Sequence, residues 1–279
     1  MRLLVAIDSS ATADVVVSEL VSRPWPPATE VKVLHLIDTF GATSGFVYSD
    51  RLAGAEGEAA LALVETSAQR FRKAGMRAAT LITEGYPRTA IIDHAKDWQA
   101  DLVVVGAHGR GAVASFLLGS VAGEVVRGAP CSVEIVRAVP GRERKPLSPM
   151  RVLLATDNSE CSKTAVRQVA GHPWPGETEI KVVSAIDTSL PAIEPWYGAQ
   201  DVISRINEDR VKSAEEAVAF ARNLLEAASL KVETAVIEGS PKLRIVDISK
   251  EWPADLAVVG SHGRRGIGRV LLGSVSESV

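Results

Sequence analysis

Short apolar runs alternate along the chain with stretches whose apolar residues return every three or four positions. Runs such as Leu102-Val103-Val104-Val105 and Leu256-Ala257-Val258-Val259 are apolar at consecutive positions, the signature of strands buried on both faces. The pattern predicts strands near 2–7, 31–37, 77–83, 102–106 and 132–137, and again near 151–156, 179–186, 231–237 and 256–260. Val211, Ala214, Val218, Ala221 and Leu225 recur at helical spacing and predict a helix over 201–228. Further helices are expected near 10–21, 52–74, 87–98 and 118–128. Strands apolar on both faces and separated by helices predict an α/β fold, an open parallel sheet wound on both sides.

The pattern is written twice. Met1 to Asp8 matches Met150 to Asp157, Pro24-Trp25-Pro26 matches Pro173-Trp174-Pro175, and Leu36-Ile37-Asp38 matches Ala185-Ile186-Asp187, all at an offset of 149 (157 − 8). From Glu84-Gly85 against Glu238-Gly239 onward the offset is 154 (238 − 84), so the second copy carries five extra residues (154 − 149) between Asp187 and Glu238. A period of about 150 residues means tandem domains, since solenoid units run to about 20–50. Domains are expected over 1–139 and 150–279, joined through the proline-rich, charged segment 138–149. Val279 corresponds to Val125, so the second copy lacks a counterpart of residues 127–137 and of the fifth strand within them. A sheet ending there would expose an edge, which proteins usually cover. The sequence therefore favours a chain that continues beyond Val279.

One repeated motif carries chemistry. Gly106-Ala107-His108-Gly109, nine residues, then Gly119-Ser120 recurs as Gly260-Ser261-His262-Gly263, nine residues, then Gly273-Ser274. Each copy follows the fourth strand of its half. A buried strand running into glycines, followed by a Gly-Ser step where a helix can begin, brings backbone amides close to phosphate oxygens. In open parallel sheets ligands bind beyond the carboxyl ends of the strands, where strand order reverses. If the first and fourth strands are neighbours there, Asp8 and Gly106 share one crevice, and Asp157 and Gly260 another. The first strand ends in Ile7-Asp8-Ser9-Ser10 without a glycine fingerprint, which argues against a dinucleotide fold. A phosphate-binding loop of the Gly-x-x-x-x-Gly-Lys-Ser/Thr type is also missing.

Composition acts mainly by exclusion. The 279 residues are 46% hydrophobic and 23% charged, with a net charge of −3, as in ordinary globular domains. Lysine and arginine form no block, so nucleic acid is not an expected partner. No apolar run reaches the roughly 18 residues of a membrane span, and the N-terminus reads as a strand rather than a signal peptide. Two isolated cysteines, Cys131 and Cys161, fit a reducing cytoplasm and structural roles.

The doubled glycine motif, the acid ending each first strand and the α/β frame together resemble the universal stress protein family, in its ATP-binding branch. The resemblance covers nearly the whole chain. It implies two tandem Rossmann-like domains of the adenine nucleotide alpha hydrolase-like kind, each a five-stranded parallel sheet, the last strand of the second missing from this sequence. It also implies site residues. Asp8 and Asp157 would lie near the adenine, with Leu36 and Ala185 against the base through their backbone. Gly106, His108 and Gly109, with Gly260, His262 and Gly263, would form the loop around ribose and phosphates. Gly119, Ser120 and Val121, with Gly273, Ser274 and Val275, would present amides and a hydroxyl to the phosphate tail. The cofactor would be ATP, with Mg²⁺ held through its phosphates rather than by a protein cluster.

Other roles compete for some of these residues. Asp8, Asp157, Ser9, Ser10 and Ser159 suit helix caps. His108 and His262 invite a catalytic role, but no partner acid or nucleophile is visible in the sequence. Arg110, Arg264 and Arg265 suit either phosphate contacts or solvated surface. Trp25, Trp174, Trp98 and Trp252 sit at matched positions and suit packing, while His35, His94 and His172 have no histidine counterparts and look incidental. The expected function is that of a cytoplasmic, ATP-binding sensor or regulator of the stress response, with hydrolysis slow at most. The alternatives are a true ATPase or nucleotide transferase using the loop histidines, and a non-catalytic scaffold whose pockets are empty or hold AMP or phosphate. The two sites should differ in affinity, because residues 40–48 in one copy face the longer 188–198, with Pro191, Pro195 and Trp196, in the other. The halves are expected to pack as an intramolecular pseudo-dimer, and whole chains to be capable of forming a homodimer.

Overall fold

The computed structural model describes residues 1–38, 54–109, 118–138, 147–187, 199–263, 273–277 and 279. The chain forms two compact units, Met1–Leu147 and Ser148–Val279. The first contains β1 (Arg2–Ala6), α1 (Thr12–Val21), β2 (Glu30–Asp38), α2 (Ala55–Lys73), β3 (Arg77–Gly85), α3 (Pro87–Asp97), β4 (Leu102–Gly106), α4 (Ser120–Gly128) and β5 (Ser132–Val136). The second contains β6 (Arg151–Ala155), α5 (Glu160–Gly171), β7 (Glu179–Ile186), α6 (Ala199–Ala227), β8 (Lys231–Glu238), α7 (Pro241–Glu251) and β9 (Leu256–Val258).

The first sheet has the order β3-β2-β1-β4-β5 and the second β8-β7-β6-β9. All the pairings are parallel. Strand order reverses between β1 and β4 and between β6 and β9, the places where the sequence put the crevices. Consecutive residues of β1 feed opposite cores. Leu3, Val5 and Ile7 join α1 and α2 through Val16, Leu20, Val64 and Phe71. Leu4 and Ala6 join α3 and α4 through Ile91, Ala95, Ala122 and Val125. This double burial is why the strand reads as an unbroken apolar run. Unit 2 repeats the scheme, with Val152 and Leu154 facing α5 and α6 and Leu153 and Ala155 facing α7.

Among the described residues no strand pairs with the second edge of β9. Leu256, Ala257 and Val258 are partly exposed, whereas Leu102, Val103 and Val104 at the same places in β4 are 9%, 0% and 0% exposed. Strand β5 and helix α4 supply the difference in unit 1.

The matched tryptophans pack, as expected. Trp25 donates its indole N–H to the Leu20 carbonyl at 2.7 Å, and Trp174 to that of Val169 at 2.8 Å. The Lys32 ammonium lies 4.3 Å from the Trp98 ring centre and that of Lys181 5.1 Å from Trp252. Burial pushes the Cys131 thiol up to about 11, which leaves it protonated and inert at neutral pH.

Candidate functional site

At the carboxyl end of each sheet the chain builds the same cup from three loops. The first begins where the β1–β2 ladder stops. Ile7 donates its backbone N–H to Leu34 at 3.0 Å, and Asp8 then leaves the strand. One carboxylate oxygen of Asp8, Oδ1, accepts from the Ser10 N–H at 3.0 Å and the Ser10 hydroxyl at 2.5 Å. Oδ1 of Asp157 accepts from the Ser159 N–H at 3.1 Å. Neither acid caps a helix. Helix α1 starts at Thr12 behind Ala11, without a side-chain cap bond, whereas Ser159 does cap α5 by accepting from Ser162 N at 3.2 Å.

The other carboxylate oxygen meets the glycine loop. A Cβ placed on Gly109 would lie 2.8 Å from Asp8 Oδ2, and one on Gly263 2.7 Å from Asp157 Oδ2. Gly106 and Gly260 serve a different approach. A Cβ on Gly106 would strike the Thr12 methyl at 2.7 Å, and one on Gly260 the backbone N of Ser162 at 2.9 Å. These glycines let the first turn of α1 or α5 press against the loop.

Each glycine loop is closed at its base. Gly119 donates to the Ala107 carbonyl at 2.9 Å and Gly273 to that of Ser261 at 2.8 Å. Ala107 is itself tied to β5 through a 2.8 Å bond to the Val136 carbonyl. Gly119 then stands at the N-cap of α4 with extended geometry (φ −60°, ψ 152°) and no side-chain cap. The first amides of a helix have no partner within it, so those of Ser120 and Val121 can serve an acceptor from outside α4. In unit 2, Gly273, Ser274 and Val275 open a single turn closed by Glu277 N to Gly273 O at 3.0 Å. Ser276, which the sequence did not single out, adds hydroxyl bonds to the Ser261 and Gly273 carbonyls at 3.0 and 2.8 Å.

Leu36 and Ala185 lie two residues beyond the last β1–β2 and β6–β7 pairs, Ala6↔Leu34 and Ala155↔Val183, and both are half-buried. Their backbone borders the crevice from the second strand. His108 is half-buried in its loop. His262 has Nδ1 3.1 Å from the Ser261 hydroxyl, while its Nε2 is buried and finds no partner among the described residues. The structure thus gathers Asp8, Leu36, Gly106, His108, Gly109, Gly119, Ser120 and Val121 at one sheet end, and their eight counterparts at the other. Arg110, Arg264, Arg265 and the segments 40–48 and 188–198 lie outside the described residues. No group of three or more His, Cys, Asp or Glu side chains suited to a metal occurs among those described.

Two further supporting residues escaped the sequence. His35, which looked incidental, is 3% exposed and donates Nδ1–H to the Ile7 carbonyl at 2.9 Å, just beneath Asp8. Ser162 is 3% exposed and its hydroxyl uses its full capacity. It donates to Ser159 O at 2.9 Å and accepts from Thr156 Oγ1 at 3.2 Å and Asp157 N at 3.3 Å. Its counterpart is Ala13, so the repeat itself gave no signal for it.

Comparison with known proteins agrees with this architecture. Residues 1–137 and 149–279 each match the model of the Universal stress protein family. Universal stress protein Rv2005c of Mycobacterium tuberculosis is 31% identical over 194 residues, covering 65% of this chain and 58% of that protein. The chain thus spans less than two thirds of that relative's length. Universal stress protein Rv2623 of the same organism is 29% identical over 234 residues, covering 78% of this chain and 71% of its own. Among solved structures, a universal stress protein from Archaeoglobus fulgidus superposes over 99% of this chain and 91% of its own, with a TM-score of 0.63 and 19% identity, a likeness of fold. No helix among the described residues is long and apolar enough to cross a membrane. With a family match over each of its two repeats, the chain belongs to the universal stress protein family.

Proposed function

We propose that each unit binds one ATP and that the chain acts as a nucleotide-dependent sensor or regulator in the stress response. The observation that carries this reading is the polarity of the cup. A carboxylate closes one side, at Asp8 or Asp157, and a Gly-Ser turn opens the other, at Ser120–Val121, where α4 begins without a side-chain cap, or at Ser274–Val275. A phosphate cannot sit against a carboxylate, so the anionic tail is directed to the amides. The acid side is left for a neutral group rich in hydrogen-bond donors, such as a base or sugar. A molecule with a nucleoside at one end and phosphates at the other fits that division. A helix N-terminus favours the anion by about 0.3–1 kcal/mol through its dipole alone, and each amide bond to phosphate adds to it.

Mg²⁺ fits the same reading through the phosphate oxygens, where it would offset their charge while keeping several waters. This chain's part is binding and orientation. Fast phosphoryl transfer needs a positioned base or water-orienting group together with charge clamps, and the described residues offer a cradle. The buried Nε2 of His262, which has no hydrogen-bond partner among the described residues, is the observation that favours the catalytic alternative. Turnover well above background that vanishes in His262→Ala would establish it.

Calorimetric titration of the full chain with ATP, ADP and AMP tests the proposal. Two equivalents of ATP are expected, with affinity falling from ATP to AMP as amide contacts to phosphate are lost. No uptake at millimolar nucleotide would reject it. Ser120→Ala is expected to weaken binding to unit 1 by roughly ten- to a hundredfold, the value of about one hydrogen bond to a charged group, about 1.5–3 kcal/mol. Unchanged affinity in that variant would remove the hydroxyl from the site.

A further inference from the structure

The two cups share their glycines and acids but differ in how the neighbouring helix is fastened to them. Helices α2 and α6 correspond at the offset of 154, since Ala60, Ser67 and Phe71 of α2 and Ala214, Ala221 and Leu225 of α6 are all buried. On that alignment α6 holds two polar residues toward the crevice that α2 lacks. Arg210 donates Nη1–H to the backbone carbonyl of Asp187 at 2.7 Å, the residue that follows β7 and stands two places beyond Ala185. Glu216 accepts from the Asn158 side chain at 3.4 Å, and Asn158 follows Asp157. The helix is therefore latched to both strand ends that border the cup.

Unit 1 cannot make either latch. Arg210 is replaced by Glu56, an exposed carboxylate that has no proton to give a carbonyl, and Glu216 by the exposed Ala62. The partner positions are Asp38 and Ser9. Of the two latches in unit 2 the arginine bond is the shorter and is charge-assisted on the donor side, the stronger class of hydrogen bond. The carbonyl it holds belongs to the segment whose backbone borders the crevice. Gly239 donates to the neighbouring Ile186 carbonyl at 3.0 Å, so the end of β7 is gripped from the helix side and from the β8 side.

We propose that Arg210 is a positioning residue that fixes the carboxyl end of β7 and so makes unit 2 the tighter of the two nucleotide sites. The ranking rests on the reading that both units bind nucleotide. A ligand that contacts the Ala185 backbone must meet it in one conformation, and a segment ordered beforehand loses less freedom on binding. In unit 1 the matching strand end is held through its ladder with β3, out to Asp38 opposite Gly85, and gains no arginine from the helix position that corresponds to Arg210. The reversal of charge, arginine against glutamate, acts in the same direction for an anionic ligand.

Two measurements on the full chain test this. Hydrogen exchange on the nucleotide-free protein reads the latch alone. Arg210→Ala should speed exchange at residues 184–187 and at Gly239 by about an order of magnitude or more, and Arg210→Lys, which keeps a donor, should restore much of the protection. Unchanged exchange in Arg210→Ala overturns the proposal whatever the ligand. Calorimetry then uses Gly109→Val to silence unit 1 and Gly263→Val to silence unit 2. ATP should bind unit 2 more tightly than unit 1, and Arg210→Ala in the Gly109→Val chain should weaken it about tenfold, with partial rescue by Arg210→Lys. Faster exchange without a change in affinity overturns the proposal, as does the reverse ranking. A chain that loses the latch on schedule yet takes up no ATP at either site rejects the nucleotide reading itself, and the ranking with it.

Discussion

Gly109→Val is expected to strip one equivalent of ATP from the chain, and Gly263→Val the other. Neither glycine has a left-handed φ, so valine is compatible with the backbone at both. What glycine provides is room, because a Cβ would stand 2.8 Å from Asp8 Oδ2 or 2.7 Å from Asp157 Oδ2. The carboxylate has little freedom to yield. Its other oxygen is held by Ser10 in unit 1 and by the Ser159 amide in unit 2. A branched side chain must therefore displace the acid, the glycine loop or both, and either movement spoils the cup. An affinity loss of a hundredfold or more at the altered site is expected, about 2.8 kcal/mol. Gly109 and Gly263 are exposed, so the fold should survive. Gly171→Ala, where a Cβ would meet nothing within 4 Å, serves as the silent control. Calorimetry should read two equivalents for the parent and the control, one for each single variant, and none for the pair. Retention of two equivalents in Gly109→Val would show that the ligand does not use this loop.

The strands were legible because burial on both faces forces an apolar residue at nearly every position, and the helix over 201–228 because α6 buries a single stripe. The internal repeat then supplied what one copy alone would have left weak. A lone Gly-x-x-Gly is common, but its recurrence after the fourth strand of two matched frames located both crevices. What stayed hidden is polar and tertiary. Ser162, Arg210 and His35 act through hydrogen bonds whose partners are set by chain packing, and none has a chemically similar counterpart in the other repeat. Periodicity records which residues are buried. It carries nothing about which carbonyl a buried donor reaches. The apolar spacing predicts the first helix from residue 10, whereas it begins at Thr12, because Ser10 bonds back to Asp8 and delays the first turn.

The least legible contact is also the one whose loss should cost the fold most. Arg23, just past α1, directs Nη2 to both carboxylate oxygens of Glu134 on β5, each at 2.5 Å and 111 residues away in sequence. The two side chains are 2% and 12% exposed. The guanidinium also lies 4.8 Å from the Trp25 ring centre, and its Nε is buried without a hydrogen-bond partner among the described residues. Glu134 pairs in register with Val104, so the ion pair fastens the end of α1 to the edge of the sheet beside the strand that leads into the glycine loop. Glu134→Ala would leave a buried guanidinium uncompensated, which typically costs about 3–5 kcal/mol. That is a large share of a domain's stability of about 5–15 kcal/mol. Replacing both partners, with Arg23→Met and Glu134→Leu, removes the charge and its desolvation cost together, and should fall near the parent stability or above it. The two units need not unfold together, so hydrogen exchange in urea, read separately for β1 and β4 and for β6, is the suitable measure. Unit 2 is the internal reference. His172 stands there in place of Arg23, its ring 4.4 Å from that of Trp174, and the stability of that unit should not change. If Glu134→Ala cost unit 1 no more than about 1 kcal/mol, the pair would rank with exposed surface bridges, and the anchoring of β5 would have to be sought in the apolar contacts of Val133, Ile135 and Val136.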